Sequence, residues 1–194
     1  MATSLVLNQL ASRLKNETAS QHQQMHLLME EAQVFSDTQR YAKFTLAQYY
    51  FQQNVEYLFR HPEVSALISD LDIRGRSQAA LLDLYDLQLK PEAQELLTEN
   101  VGFPEALGWI YVSEGSTLGA AFLFKQAQQL LGLNAEFGAR NLAAYPEGRA
   151  RVRVWKHFIT ELDTAQLSES EQDQVILGAK QAFDYFGSLL KNID

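Results

Sequence analysis

A chain of 194 residues that is 46% hydrophobic has the length for one sizeable core, and it is read as a single domain over residues 1–194. Its formal charge of −8 argues against nucleic acid as a partner, because phosphate neutralisation needs a basic face; a local basic pocket for a smaller anion stays possible. Cysteine is absent, which removes disulfides, thiolate metal sites and thiol nucleophiles together, so histidine, a carboxylate or a bound cofactor must carry any chemistry.

The opening stretch MATSLVLNQLASRLKNE lacks a basic start followed by a long apolar run, so a signal peptide is not expected. No window approaches the ~20 apolar residues of a membrane span, and a cytoplasmic protein with no membrane contact is expected. Residues 5–15 read as a short helix. Residues 18–31 read as a second, with Thr18 as its cap and Gln21 as the capping-box partner. Tyr41, Phe44, Gln48, Phe51, Val55 and Leu58 recur at three- and four-residue steps, one stripe of a long helix that stops at His61-Pro62.

Short helices are expected over 63–71 and 77–87, separated by Arg74-Gly75-Arg76, and Pro91 is expected to open another. Pro104 stands at a first helical position and Gly132 at a stop, which predicts a helix of more than twenty residues. Residues 134–149 are rich in Gly, Asn, Ala and Pro and read as a connection. A helix follows over 151–162, and a last one starts at the capping box Ser168-Glu169-Ser170-Glu171 and runs through Phe183 and Phe186. No alternating strand pattern competes, so the fold class is all-α, a multi-helix bundle.

Within the long helix, Ser113-Glu114-Gly115-Ser116-Thr117-Leu118-Gly119 places two glycines four residues apart, each costing roughly 1 kcal/mol against alanine. Spacing leaves two readings open. The glycines can serve close packing of two helices, or they can let the backbone approach a flat ligand, with the helix bending or locally unwinding there.

Histidines number four. His61 precedes a proline at a helix end, and His157 sits beside Lys156 where solvent is the default. His22 and His26 are four apart and share a helix face. No HExxH pattern accompanies them and no third zinc ligand is evident. Binding one heme iron asks less of a sequence, a single neutral imidazole. From spacing alone, core or surface histidines remain the commoner outcome.

The run from Gly108 to Lys125, GWIYVSEGSTLGAAFLFK, resembles the distal helix of the biliverdin-producing bacterial heme oxygenases. Residues 13–22, RLKNETASQH, resemble that family's proximal segment, and Gly138-Ala139-Arg140-Asn141-Leu142 with Pro146-Glu147-Gly148-Arg149 is similar to its connection after the distal helix. The likeness spans nearly the whole chain.

This resemblance implies heme b as cofactor and substrate and dioxygen as co-substrate, with biliverdin, carbon monoxide and free iron as products. It makes His22 the axial iron ligand, and it lays a kinked distal helix, at Gly115, Ser116 and Gly119, over the other heme face. It further implies propionate contacts from Lys15 and Tyr111, with Arg76 a lesser candidate. A distal polar network would include Gln48 and Arg140, Thr117 stands at a heme-contacting position, and Phe183 and Phe186 form the pocket wall.

Some positions depart from the family pattern. His26 stands where an acidic residue commonly orients the ligand. Thr117 replaces a common asparagine, Asn141 and Tyr145 replace common histidines, and Phe186 stands where a tyrosine can occur. A hydrophobic tail of the kind that anchors the animal enzymes is not expected. Flavin, nicotinamide and iron–sulfur fingerprints are missing, so a separate ferredoxin or reductase is the expected electron donor to a monomer that releases iron from scavenged heme. The alternatives are a non-catalytic heme carrier or sensor on the same fold and a non-heme di-iron oxygenase; the latter needs paired Glu-x-x-His motifs that do not occur.

Overall fold

In the computed structural model, which describes residues 9–143, 145 and 148–193, the chain begins with two consecutive helices, α1 (Gln9–Glu17) and α2 (Ala19–Ala32). The hydrogen-bond ladder barely breaks between them, since Thr18 N–H donates to Leu14 O and His22 N–H to Thr18 O, both at 3.0 Å. The expected capping box does not form. The buried Thr18 hydroxyl turns back to Leu14 O at 2.7 Å, the local bond that threonine offers inside a helix. Residues 5–8 of the expected first helix lie outside the described residues, as do Pro146 and Glu147.

Helix α3 (Thr38–Leu58) is capped by Asp37, whose carboxylate accepts from Arg40 N–H at 2.8 Å. Tyr41, Phe44, Phe51, Val55 and Leu58 are buried along it, as the stripe requires. Helix α4 (Pro62–Leu67) stops short of the expected Leu71. Buried Ile68 takes an extended conformation, and a 3₁₀ turn at Leu71–Ile73 then brings Arg74 fully inside. Helix α5 (Ser77–Asp86) follows.

Pro91 opens no helix. The segment after it is claimed by side chains of α3: Asn54 Oδ1 accepts from Leu97 N–H at 2.8 Å, Thr98 Oγ1 donates to Asn54 O at 2.9 Å, and Tyr50 OH bonds the Glu92 backbone. These long-range bonds satisfy the backbone without a helix, so tertiary contacts override local propensity.

Helix α6 (Phe103–Leu131) runs unbroken through Gly115 and Gly119, with no unwound turn. Pro104 lies in its first turn, and Gly132 ends it in the left-handed region at φ 68°, where glycine avoids a Cβ clash. Helix α7 (Gly148–Thr164) comes next. The capping box of α8 (Glu169–Leu190) forms as expected, Ser168 and Glu171 exchanging side-chain-to-backbone bonds. Strands are absent among the described residues.

The most extensive helix contact is α6 against α8. It depends on two glycines that the sequence did not single out. A Cβ at Gly108 would collide with Val175 O and Ala179 N, and one at Gly178 with Glu105 O, so backbone meets backbone there. Two apolar clusters result. One gathers Leu14, Val55, Leu107, Ile110, Phe158 and Val175, and the other gathers Leu28, Tyr41, Phe44, Leu133, Leu142 and Leu190. Phe186 touches both. No helix among the described residues is long and apolar enough to cross a membrane.

Candidate active site

A cavity of about 1410 Å³ opens between the two clusters. Helix α2 lines it with His22, Met25, His26 and Met29, and α6 with Tyr111, Gly115, Ser116 and Gly119. Helix α8 packs against both and adds Phe183 and Phe186, while α3 adds Phe44, Gln48 and Phe51. The wall is mostly apolar with a few polar groups, the usual constitution of a small-molecule site.

The glycines of α6 resolve the two readings left open by spacing. A Cβ on Gly119 would meet nothing within 4 Å, and one on Gly115 would only touch the Trp155 ring at 3.6 Å. Neither glycine is used for helix packing; both leave room in the cavity. The close-packing role belongs to Gly108 and Gly178.

His22 reaches the cavity from α2 with its ring against Phe183 (centroids 6.3 Å apart, rings perpendicular) and against His26 (4.7 Å, 76°). Burial pulls its pKa below the ordinary 6.5, and the neighbouring His26 adds to the effect. At neutral pH the imidazole is therefore neutral, the form that binds iron.

A polar system lies under α6. The Arg76 guanidinium, only 5% exposed, donates through one nitrogen to Ser113 O at 2.8 Å, to Ser113 Oγ at 2.7 Å and to Ser116 Oγ at 3.4 Å. Ser116 Oγ donates to Ser113 O at 2.6 Å, and Gln52 Nε2 to Ser113 Oγ at 3.1 Å. Arg76 is thus no solvated surface charge. It is aimed by Glu56, whose carboxylate accepts from Arg76 N–H, Ser77 N–H and Ser77 Oγ and so pins the start of α5 to α3. Gln48 Oε1 is buried without a hydrogen-bond partner, and its side chain lines the cavity. An orphaned acceptor there suits a bound polar group or ordered water.

Behind this system Arg74, with no exposed side-chain surface, donates to Glu114 Oε2 at 2.5 Å and to both oxygens of Asp70 at 2.6 and 2.9 Å. Burial pushes the Glu114 carboxyl up, against the pull of Arg76 and Arg74. Glu114 thus lies on the side of α6 turned into the protein, where it ties that helix to the turn that carries Arg74. A lone acid in the apolar run GWIYVSEG was the available clue to it.

Lys15, Tyr111, Phe183 and Phe186 line the cavity as the resemblance implies, and Asn141 lines it too. Thr117 and Arg140 do not. The Thr117 side chain is buried and bonds Glu114 O at 2.6 Å, while its carbonyl accepts from Arg151. Arg140 is spent on Asp83, Asp86 and the Glu136 carbonyl, holding the connection after α6 onto α5. The Tyr145 hydroxyl donates to Ile73 O, and burial chiefly pushes its pKa up to about 12. His157, half exposed, joins Ser69 and Glu161 in a surface lock between α7 and the loop after α4.

The heme oxygenase family model matches residues 8–192. Heme oxygenase PigA of Pseudomonas aeruginosa is 42% identical over 186 residues, covering 95% of this chain and 92% of that protein. The Neisseria meningitidis heme oxygenase, solved with bound NO and CO, superposes with a TM-score of 0.86 at 35% identity and covers 95% of this chain and 91% of that one. The Leptospira interrogans heme oxygenase shares the fold, with a TM-score of 0.72 at 18% identity over 93% of this chain and 98% of that one. With a family-wide match over residues 8–192, an all-helical fold and a cavity that pairs a histidine-bearing helix with a glycine-bearing one, this chain belongs to the heme oxygenase family.

Proposed function

We infer that the cavity seats heme between α2 and α6, with His22 as the axial iron ligand and the Gly115–Gly119 segment over the opposite face. When bound, heme is cofactor and substrate together: its iron activates dioxygen, and the porphyrin is opened at a meso carbon to biliverdin, carbon monoxide and free iron. The residues present fit this group, since the cavity is apolar, roomy, and faced by a neutral imidazole and by a helix surface without Cβ atoms at Gly115 and Gly119.

The protein's share of the chemistry is positional. His22 would hold the iron through an imidazole and not a thiolate, and so would donate little electron density to it. Gly119, without a Cβ, would let the main chain of α6 approach a bound heme closely and so restrict the space beside it. Ser116, held by Ser113 and Arg76, and the unpartnered Gln48 oxygen are the groups available to hold ordered water and hand on protons. Arg76 works on this side and not at a propionate. Lys15 and Tyr111 are left to meet the propionates, the local positive and hydroxyl partners that an acidic protein needs for a dianion. Phe183 and Phe186 would form the apolar wall against a bound heme.

The observation that carries this reading is Gly119, a helix-interior glycine that no packing neighbour requires and that faces the same cavity as His22. The reading extends to a cytoplasmic monomer of one domain, reduced by a separate ferredoxin or reductase, that frees iron from scavenged heme. An aerobic single-turnover assay tests it: hemin is added, reductant is supplied with catalase present, and the pigment is identified by chromatography. Loss of the Soret band with one biliverdin isomer supports it. A stable Soret band without bilin makes the chain a carrier or sensor.

A further inference from the structure

We propose that His26 is a second proximal ligand, able to take the heme iron in place of His22 on the same face of the ring; this rests on the heme-seating reading above.

His22 and His26 lie one helical turn apart on α2, and both line the cavity. Their ring centroids are 4.7 Å apart. Two imidazoles that close on one helix face cannot grip opposite sides of a porphyrin. They can only alternate on one side, with the iron displaced by about one turn, ~5.4 Å, between the two positions.

Three features favour the second position. The cavity, at about 1410 Å³, exceeds the ~300–1,000 Å³ common for small-ligand sites. The wall beside the histidines is Met25 and Met29, unbranched side chains that repack readily. And Glu30, one turn beyond His26 on the same helix, also lines the cavity. Metal-bound histidines commonly direct their second ring nitrogen at a carboxylate, which fixes the ring and raises its basicity. At this four-residue spacing His26 has a carboxylate following it, whereas His22 has only His26. The arrangement His22–His26–Glu30 therefore gives the second histidine the better-equipped ligand surroundings.

The test compares heme complexes of the parent, His22→Ala, His26→Ala and the double variant. The readouts are the ferrous iron–histidine stretching vibration by resonance Raman spectroscopy and the ferric electron paramagnetic resonance spectrum, with far-ultraviolet circular dichroism confirming that each variant is folded. The expected result is that either single variant keeps an iron–histidine vibration and the double variant loses it. Adding Glu30→Gln to His22→Ala should then weaken heme affinity about 10–100-fold. A His22→Ala complex indistinguishable from the double variant overturns the proposal while leaving His22 as sole ligand. A parent protein without any iron–histidine vibration overturns the heme-seating reading itself, and the proposal with it.

Discussion

Alanine at Gly119 and alanine at Gly108 should change stability in opposite directions, although the two glycines share one helix. At Gly119 the backbone is helical, its φ lies outside the left-handed region, and the new methyl would meet nothing within 4 Å. The substitution should therefore bring only the usual glycine-to-alanine gain of about 0.5–1 kcal/mol. At Gly108 the methyl would run into the backbone of Val175 and Ala179, neither of which can swing aside. Overpacking of this kind costs about 1–3 kcal/mol, and backbone neighbours push it to the upper end and beyond the propensity gain. For a domain of this size 1 kcal/mol moves the melting temperature by about 2–4 °C. Thermal and urea denaturation of the heme-free protein should show Gly119→Ala raised by up to that amount and Gly108→Ala lowered. The gain at Gly119 should come with a functional loss, because side chains there project into the cavity: Gly119→Leu should slow biliverdin formation by at least about tenfold, ~1.4 kcal/mol of barrier, with heme affinity less affected. Loss of stability in Gly119→Ala would return that glycine to a packing role and refute the argument.

His22→Ala should slow biliverdin formation while leaving the circular dichroism spectrum unchanged, and the His22→Ala/His26→Ala double variant should remove it; normal turnover in the double variant would defeat the assignment of the iron to this face of α2. Because burial and His26 hold His22 below the ordinary 6.5, the neutral ligand survives below that pH. Heme affinity should then fall only as pH drops through the lowered value, and the small contribution of the neutral ring to heme-free stability, complete above 6.5, should be lost in the same direction. A hemin titration from pH 8 to 5 checks this, and a loss already complete by pH 7 contradicts it. Glu114→Ala leaves the buried Arg74 guanidinium with Asp70 as its one remaining carboxylate partner, which should cost about 3–5 kcal/mol; a melting temperature within a degree of the parent would show the pair to be dispensable. Ser168→Ala removes the cap of α8 and should cost about 1 kcal/mol by urea denaturation, with turnover unchanged.

Periodicity and punctuation made most of the helices readable. The stripe of α3, the proline and glycine bounds of α6, and the capping box of α8 are local signals, and nothing distant contradicts them. Pro91 carried an equally good local signal and no helix followed, because Asn54 and Tyr50 of α3 offered Glu92, Leu97 and Thr98 better hydrogen bonds from elsewhere in the chain. Thr18 likewise preferred a bond inside a continuing helix. The site divides in the same way. That His22, Gly115 and Gly119 would share one cavity was legible, since a family motif marks all three and an unpaid glycine cost marks the last two. Arg140 and Thr117 were expected at the cavity and lie off it, while Arg76 lines it with its guanidinium turned to Ser113, because a cation or hydroxyl in sequence does not reveal which carboxylate or carbonyl will claim it.

By itself, then, the sequence determined the helical class, the lengths and ends of the major helices, and the residue types that face one another across the heme site, all consequences of chemistry within a few residues. Only the tertiary structure decided which glycines are for packing and which for the cavity, and which way each buried arginine points. Gly108 and Gly119 have the same local cost and the same helix around them; what separates them is whether α8 or open cavity stands where the side chain would be. Arg76 turns its guanidinium to Ser113 because Glu56, twenty residues earlier, holds its backbone, and Arg140 lies off the cavity because Asp83 and Asp86 lie on the helix beneath it. A buried charge goes where its partner is, and partners distant in sequence are brought together only by the fold.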